Sequence, residues 1–499
     1  MTTLRLTGPA RGSAAKARPP LSSAALAALL GLVMGGLAIA VQVRQKTSTE
    51  MAVAAVAVTM ACVIAGNPRR FMLALVLLDI PLEWGKNLSW NDSLANIGAI
   101  PGVDISLTTI GLVALYAMWA LGRGDARTPR LRPRLRPALP LIAYVTISAL
   151  SLLAAHNKTL SSYELVMLSQ LLLLFIYVVS TVRTRSDVAF MLTVLMAGLL
   201  VESLVVIAVS ATGWSPHFLG LRNRVDPTGF NGRVGGTVGS PNDAAAYLCL
   251  MLSAAIGILW SPLRGWVRRL ALAALPVGLI ALVVTGSRGG WIAFGIACLL
   301  MGAWATREGL IPVRSALVVT VAIGLLLIPF WGTITHRLSG NDNGSAHSRI
   351  AMVSLAEKMI SAHPITGLGI NNVGINIPQY AGPQFDGQWL YTIHDKYLLV
   401  WAEAGIGALI AFLCFLGLTL HRGWRCARSR DRTLAPLAVA ITAGVAGQLF
   451  HMGVDIFQSK PEVEGLWLIA ALLIAMELIA RTEPRRGSST GIPLRHIPL

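Results

Sequence analysis

Long apolar segments alternate with short polar ones along most of the chain. Many of the apolar segments run for about 17 to 24 residues, the length at which an α-helix crosses a hydrocarbon core of about 30 Å. About fourteen can be counted, at residues 22–43, 49–66, 70–83, 105–121, 138–155, 163–182, 188–210, 242–260, 268–285, 288–305, 313–331, 397–420, 434–456 and 463–480. The pattern predicts an all-α polytopic membrane bundle of about fourteen helices, with about twelve as the smaller possibility.

The longest polar connection runs from Gly332 to Asp395. Within it, residues 345–361 carry apolar side chains at helical spacing, namely Ile350, Val353, Ala356 and Ile360. This spacing predicts an amphipathic helix that ends before His363 and Pro364. The residues that follow are rich in Gly, Asn and Pro, and they predict an irregular segment that covers the membrane helices like a lid.

The charge pattern assigns the polar connections to two sides of the membrane. The net charge is +18, but a chain with 55% hydrophobic and 13% charged residues has the composition of a membrane protein rather than a nucleic-acid binder. Most of the 41 Lys and Arg residues fall in alternate connections, as the positive-inside rule requires of cytoplasmic loops. Both termini are therefore predicted to be cytoplasmic, and the Gly332–Asp395 connection to lie outside.

The same pattern divides the chain into a membrane domain and two tails. Residues 1–21 are basic and short of apolar residues, which predicts a disordered cytoplasmic tail in front of an uncleaved first helix. A single membrane domain is expected over 22–481, followed by a cytoplasmic tail at 482–499. The five cysteines form no CxxC pair, so neither a disulfide nor a zinc site is expected.

Two outer arginines are candidates for binding an anion. Arg233 lies in a glycine-rich outer connection at 211–241 that retains further arginines beside a single acid. Arg288 lies between two apolar segments, where an arginine either reaches the lipid headgroups or binds a partner. Its neighbours Gly289 and Gly290 would let a bulky group approach the backbone, which favours a bound phosphate.

Four sequence blocks resemble a known family. They are 233–242 (RVGGTVGSPN), 287–291 (SRGGW), 349–369 (RIAMVSLAEKMISAHPITGLG) and 394–407 (HDKYLLVWAEAGIG). In this order, at the edges of outer connections, they resemble blocks of the O-antigen ligase and O-antigen polymerase superfamily of bacterial membrane glycosyltransferases. The resemblance covers about residues 230–420.

The resemblance implies a reaction and its residues. A glycan would move from undecaprenyl diphosphate to an acceptor hydroxyl on the outer face of the inner membrane, without a cofactor or a metal. Arg233, Arg288 and Arg349 would bind the donor diphosphate, since guanidinium groups match phosphate oxygens and stay charged. His394 would take the proton of the acceptor hydroxyl, because imidazole titrates near neutral pH.

Three further residues are candidates for supporting roles. Asp395 stands where the family usually has Asn, and it could orient the His394 imidazole, raise its pKa or serve as the base itself. Asn242 is either a helix cap or a substrate contact. Glu403 lies about two turns inside a predicted span, where a carboxylate is unfavourable, and it is expected to pair with one of the arginines.

Several functions remain open from the sequence. A ligase would use a lipid A core or another surface acceptor, whereas a polymerase would use a second lipid-linked repeat unit. A lipid-linked oligosaccharide flippase or transporter would have a similar number of spans, although charges inside the spans are sparse, chiefly Glu202. A non-catalytic scaffold for polysaccharide export is the third class.

Overall fold

The computed structural model describes residues 66–122, 133–213, 233–307, 332, 345–383 and 391–482. The chain forms two compact units, Met1–Phe71 and Met72–Leu499. The helices are α1 (Pro68–Leu82), α2 (Asp92–Ala95), α3 (Leu107–Ala120), α4 (Leu139–Leu150), α5 (Lys158–Thr181), α6 (Arg185–Thr212), α7 (Pro241–Trp260), α8 (Trp266–Val284), α9 (Arg288–Arg307), α10 (Ser345–Ala362), α11 (Val373–Tyr380), α12 (Lys396–Ala427), α13 (Leu434–Met452) and α14 (Lys460–Thr482). Short 3-10 turns flank α4 at Arg136–Ala138 and Ser151–Leu153.

The prediction of an all-α polytopic membrane protein is confirmed. In the part of the chain that the structure describes, nine helices are long and apolar enough to cross a bilayer: the 136–153 segment around α4, α5 to α9, and α12 to α14. The predicted spans at 70–83 and 105–121 form α1 and α3, whose 15 and 14 residues fall short of a full crossing. Those at 22–43, 49–66 and 313–331 lie outside the described residues, apart from Gly66.

A small hairpin interrupts the helices between α1 and α3. Strands β1 (Gly85–Asn87) and β2 (Asp104–Ser106) pair antiparallel, with Gly85 opposite Ser106. Ser106 also caps α3, since its side chain accepts a hydrogen bond from the backbone N–H of Thr108. The hairpin is tied to α14 by Lys460, whose ammonium lies 3.3 Å from an Asp104 oxygen.

Helices α7, α13 and α14 are the most enclosed spans of the described bundle. In their apolar stretches of 18 residues, 78%, 83% and 89% of the residues are buried. Small residues allow their close approach. A Cβ on Gly444 of α13 would lie 2.6 Å from Ser253 of α7, and one on Gly257 of α7 would lie 2.9 Å from Ala440 of α13. Packing of this kind stabilises helix pairs in lipid, where burial of apolar area contributes little to helix association.

Helix α12 is broken at Gly405, which has a φ of 79°. The break is filled by the segment after α10. The backbone N–H groups of Leu368 and Gly369 donate to the carbonyls of Ala402 and Glu403, and that of Ile406 donates to Pro364. The segment predicted to be an irregular lid is therefore partly inserted into a membrane helix, and it satisfies the backbone groups that the break leaves free.

Helix α10 confirms the predicted amphipathic helix, but its buried face is different from the expected one. Ala356 and Ile360 are buried as predicted, whereas Ile350 is 69% and Val353 37% exposed. The buried face is instead formed by Ala351, Met352, Leu355, Ala356 and Met359. Part of this face packs on Leu399 and Ala402 of α12. Ile350 and Val353 are thus on the opposite side of the helix.

The bundle has two chemically different ends. At one, which we call the loop end, helices α5, α7, α9, α12 and α14 begin, and the segments at 84–106, 233–240, 363–383 and 391–395 meet. For example, the Asn371 amide bonds to the backbone of Ile100 and Leu160.

The opposite end, which we call the arginine end, is held by ion pairs. Arg185 lies 2.8 Å from Asp431, and the buried Glu477 pairs with Arg422, Arg425 and Arg481. Among the described residues, the connections that the charge pattern predicts to lie outside share the loop end, and those predicted to lie inside share the arginine end.

Candidate active site

Asn242 joins two of the family-like blocks at the loop end. Its side-chain oxygen accepts hydrogen bonds from the Arg233 guanidinium and the Ser287 hydroxyl, each at 2.9 Å. Arg233 also donates to the carbonyl of Thr285, at 3.1 Å. The expected capping role belongs to Ser240, which accepts from the backbone N–H of Asp243 in a capping box. Asn242 therefore holds Arg233 beside the turn that carries Arg288.

The loop that carries Arg233 is anchored from inside the bundle. The buried Glu202 of α6 accepts from the backbone N–H of Thr237 at 2.9 Å and from its hydroxyl. Gly236 has a φ of 63°, and a side chain there would overlap the Glu202 carboxylate. Glu202 is the principal charge inside a predicted span. Its carboxylate anchors the 233–240 loop through these hydrogen bonds.

Asp455 connects this network to the histidines. The Asn242 amide donates to one Asp455 oxygen at 3.1 Å. Asp455 is buried, and its other oxygen has no hydrogen-bond partner among the described residues. The carboxylate acts electrostatically on two imidazoles, those of His394 and His451. Asp455 therefore links the arginine network to both imidazoles.

His394 is held in one orientation and one tautomer. Its Nδ1 lies 3.0 Å from the carbonyl oxygen of Thr392. Because a carbonyl can only accept, Nδ1 must carry the proton, which leaves the lone pair of Nε2 as the basic site. Burial lowers the pKa of His394 below its usual value, and Arg349 lowers it further, while Asp455 and the Thr392 carbonyl oppose them. The imidazole is thus neutral and able to accept a proton at pH 7.

Asp395 caps the helix that follows it. One of its oxygens accepts from the backbone N–H groups of Tyr397 and Leu398, so it is the N-cap of α12. Burial raises the pKa of Asp395, and the two backbone bonds oppose that rise. Asp395 is not among the groups that shift the pKa of His394. The acid that acts on the imidazole is Asp455, which the sequence interpretation missed.

Arg349 and Arg288 approach the histidines from different elements. Arg349 lies in α10, whose packing on α12 brings its guanidinium within electrostatic range of His394 and His451. Arg288 is the first residue of α9 and is half-buried. A Cβ on the next residue, Gly289, would lie 2.9 Å from the His451 ring. The structure thus brings Arg233, Arg288, Arg349 and His394 to one site, around Asp455 and His451.

The space beside the two glycines after Arg288 is filled by other residues of the protein. The space beside Gly289 is taken by His451, and a Cβ on Gly290 would lie 2.5 Å from Ala245 of α7. The approach of a bound phosphate to the backbone at these glycines stays a prediction. In the described structure the groups they admit are an imidazole and a neighbouring helix.

Glu403 does not pair with an arginine among the described residues. It is buried in α12, and the charged groups that act on it are Lys396 and Glu164, while the backbone N–H groups of Asn371 and Val373 face its carboxylate. This correction has a simple cause. The break at Gly405 brings the Asn371 segment against Glu403, so backbone donors stand where an arginine was expected.

His451 and Asp455 were hidden at the end of an apolar segment. They are four residues apart, with His451 in the last turn of α13 and Asp455 in the turn that follows the helix. That i, i+4 spacing of two ionisable residues at a span end was a signal, but the residues lie far in sequence from the other blocks. Their connection to the site becomes visible only in three dimensions.

Three carboxylates at this end could hold a cation. Ligand oxygens of Asp243, Asp455 and Glu462 lie within 4.8 Å of one another. Two of the three also bond to nearby serines, Asp243 to Ser240 and Glu462 to Ser459. Carboxylates this close either share protons or bind a metal ion. The expectation that the enzyme needs no metal therefore remains a prediction.

A family model described as O-antigen ligase matches residues 271–413. Over this segment, the chain is similar to the O-antigen ligase family. The resemblance read from the sequence is thereby confirmed. None of the curated proteins compared matches the chain.

The O-antigen ligase segment contains Arg288, Arg349, His394 and Glu403, whereas Arg233, Asn242, His451 and Asp455 lie outside it. The structure adds these four residues to the site by direct contact or electrostatic proximity. Together with the apolar helices, the O-antigen ligase segment supports a multi-pass membrane protein with a glycosyltransferase-type function.

Proposed function

We propose that this protein transfers a glycan from undecaprenyl diphosphate to an acceptor hydroxyl at the outer face of the bacterial inner membrane. The observation that carries the proposal is the meeting of three arginines and a neutral, oriented histidine at the loop end. The site would serve cell-surface polysaccharide synthesis.

The arginines would bind the donor diphosphate and stabilise it as it leaves. Negative charge grows on the diphosphate oxygen as its bond to the sugar breaks, and fixed guanidinium groups favour that charge more in the transition state than before it. Removal of one such donor typically raises the barrier by about 3 kcal/mol. Arg233 is held by Asn242 and Thr285, so its position is set before the donor arrives.

His394 would act as the general base. The acceptor oxygen forms a bond to the anomeric carbon, the bond from that carbon to the diphosphate oxygen breaks, and its electron pair leaves with the diphosphate. The acceptor proton passes to Nε2 of His394. The neutral tautomer set by Thr392 supports this role, and a positioned base typically contributes about 10² to 10⁴ in rate.

The orientation of the bundle fits a lipid-linked donor. The arginine end has the cations that the positive-inside rule places in the cytoplasm. We therefore assign the loop end to the outer side and both termini to the cytoplasm. Exposed apolar surface on the spans faces lipid, through which the polyprenyl chain would reach the site laterally.

Two acceptors fit this chemistry, and they define a ligase and a polymerase. A ligase would glycosylate a lipid A core or similar surface acceptor, and a polymerase would elongate a second lipid-linked glycan. The O-antigen ligase segment favours the ligase. A flippase is disfavoured because most buried acids of the described spans lie near helix ends, as Glu164, Glu403, Glu462 and Glu464 do.

The acceptor is tested by incubating purified protein with lipid-linked repeat units, with and without a core-type acceptor. Glycosylated acceptor with unchanged donor length supports the ligase. Elongated donor formed without any acceptor overturns the ligase in favour of the polymerase. Intact donor in both reactions, or donor moved unchanged across a vesicle membrane, contradicts glycan transfer itself.

A further inference from the structure

Glu164 is a buried carboxylate near the beginning of α5 that the proposed reaction does not use. It is 1% exposed, and a charge in such a place is strongly unfavourable unless partners compensate it. Glu164 has two such partners. The amide of Gln458 donates to its Oε2 atom at 2.7 Å, and the ammonium of Lys396 acts on the carboxylate electrostatically. Both partners are buried themselves.

The two partners belong to the segments that carry the histidine base and the acid that acts on it. Lys396 is the first residue of α12, two residues after His394. Gln458 lies in the connection between α13 and α14, three residues after Asp455. One carboxylate on α5 is therefore bonded to the segment of Asp455 and attracted to the segment of His394.

Residues 455–458 depend on such contacts because their backbone is not fixed by secondary structure. In the described part of the chain, none of their backbone N–H groups donates to a carbonyl. Phe457 has a φ of 47° and is 1% exposed. A left-handed conformation is unfavourable for an aromatic residue, and it persists only where surrounding contacts impose it. Side-chain hydrogen bonds tie this stretch to other helices, one from Asn242 to its first residue and one to Glu164 from its last.

The start of α12 is fixed on the other side of Glu164. Lys396 is 4% exposed, and it also acts on Glu403, whose carboxylate faces backbone N–H groups of the segment after α10. The ammonium thus belongs to a buried cluster formed by α5, α12 and that segment. A lysine between two buried carboxylates cannot move away without leaving charge uncompensated. The cluster therefore fixes the start of α12, and with it His394, relative to α5.

We propose that Glu164 is a positioning residue for the general base, which it holds at a fixed separation from Asp455. It acts through Lys396 on the side of His394 and through Gln458 on the side of Asp455. This inference rests on the proposed function and deepens it, because Asp455 acts on the imidazole that takes the acceptor proton. Glu164 influences the base only through these two segments.

The test removes the tie without removing a charge. Gln458→Met keeps the length of the side chain but donates no hydrogen bond to Glu164, and glutamine and methionine are both neutral. Asp455, which raises the pKa of His394, is then held less closely. This pKa should therefore fall to a value between those of the wild type and Asp455→Asn. It is measured by ¹⁵N-histidine NMR of the full-length protein in nanodiscs, and His394→Gln assigns the His394 signals among the nine histidines.

The transfer kinetics give a second readout. The kcat of Gln458→Met should fall by about tenfold or more, since a misplaced base loses rate steeply. KM for the lipid-linked donor should stay within about threefold of the wild type. Gln170→Met is the matched control, because Gln170 lies on α5 six residues after Glu164 and donates to Thr109 at 2.6 Å. It should keep the wild-type kcat and the wild-type pKa of His394.

A double variant tests the route through Asp455. In the Asp455→Asn background, Gln458→Met should cause no further change in the pKa of His394, because the charge whose position it disturbs is gone. A further fall of the same size in that background would show that the effect does not pass through Asp455, and it would overturn the inference.

The outcomes separate this inference from the proposed function. An unchanged pKa of His394 and an unchanged kcat in Gln458→Met, even with a lower unfolding temperature, would identify Glu164 as a purely structural acid and overturn its positioning role alone. Absence of glycan transfer by the wild type would overturn the proposed function, whereas the pKa comparison needs no substrate and still supports or overturns the positioning.

A second variant covers the case in which Gln458→Met does not fold. Glu164→Gln combined with Gln458→Met also removes the carboxylate that the first change leaves without its hydrogen-bond donor. The same fall in the pKa of His394 is expected in this double variant. An unchanged value there would overturn the inference.

Discussion

At the scale of single residues, the site combines fixed positive charge with a neutral base. Arg233 is fixed by Asn242, and Arg349 acts on both imidazoles. Asp455 opposes the arginine at each imidazole and is itself held by Asn242. The arrangement would keep His394 able to accept a proton beside the arginines, which is the condition that the proposed base catalysis beside a diphosphate clamp requires.

The first prediction concerns the clamp. Arg288→Ala and Arg349→Ala should each lower the transfer rate by at least about 100-fold, because each removes a fixed donor to the leaving diphosphate. Both proteins should still insert, and their thermal unfolding should match the wild type. Arg264→Ala, an exposed arginine at the arginine end, is the control. Normal turnover by either clamp variant would remove the diphosphate-clamp hypothesis.

The second prediction concerns the pKa of His394, followed by NMR of labelled imidazole. In the wild type this pKa should lie below about 6.5, since burial and Arg349 both lower it. Asp455→Asn removes a charge that raises the pKa, so the midpoint should move to lower pH. Arg349→Gln removes a charge that lowers it, so the midpoint should move to higher pH. Shifts in the same direction would contradict the electrostatic arrangement.

Sequence reasoning could name the arginines and His394 as candidates because each lies in a short block with a recognisable order. It missed His451 and Asp455 because they end an apolar segment. Their chemistry depends on contacts with Asn242 and Gly289, about 160 to 210 residues away in the chain. The capping role of Asp395 was missed because it is local. One of its carboxylate oxygens bonds to backbone N–H groups two and three residues later.

At the scale of elements, the decisive feature is that two separate sequence blocks, 349–369 and 394–407, pack into each other. The turn at Gly367 to Gly369 and the break at Gly405 fit together through backbone hydrogen bonds, and all three glycines have positive φ. The sequence predicted one continuous span at 397–420. The break at Gly405 could not be predicted, because a single glycine in an apolar helix is common. Only the segment inserted there requires the helix to break. The interlock places α10, and with it Arg349, against α12.

The third prediction tests this interlock. Gly405→Ala should destabilise the protein by at least about 1 to 2 kcal/mol, since a side chain there is strained at positive φ and would overlap the carbonyl of Ile365. Transfer should fall as well, because α10 loses its support. The same change at Gly417, which lies in the same helix with open space around it, should be neutral or slightly stabilising. Equal unfolding temperatures for the two variants would show that the break is not a structural requirement.

At the scale of the whole molecule, two independent arguments separate the same polar segments. The charge pattern assigns connections to alternate sides from composition alone, and the structure gathers the described parts of these two groups at opposite ends of the bundle. The number of spans could not be settled from the sequence. Apolar length identifies a full crossing, but α1 and α3 are too short to cross by themselves.

The fourth prediction concerns orientation. A reporter fused after Gly344 should read as extracytoplasmic, and one fused after Arg430, in the connection between α12 and α13, should read as cytoplasmic. The pair serves as its own control, because one span separates the two sites. A cytoplasmic reading at Gly344 would place the loop end on the cytoplasmic side of the membrane. That result would contradict the proposed site for an outer-face donor.

The most direct measurement follows the labelled lipid of the donor. Purified protein, glycan-charged undecaprenyl diphosphate and acceptor are incubated in excess EDTA, and the lipid products are separated over time. The account predicts release of undecaprenyl diphosphate in step with transfer of the glycan, at a rate that EDTA leaves unchanged and that His394→Ala slows by about 100-fold or more. Donor that remains intact, or turnover that EDTA abolishes and a divalent cation restores, would contradict the metal-free transfer that the arginine and histidine site is proposed to perform.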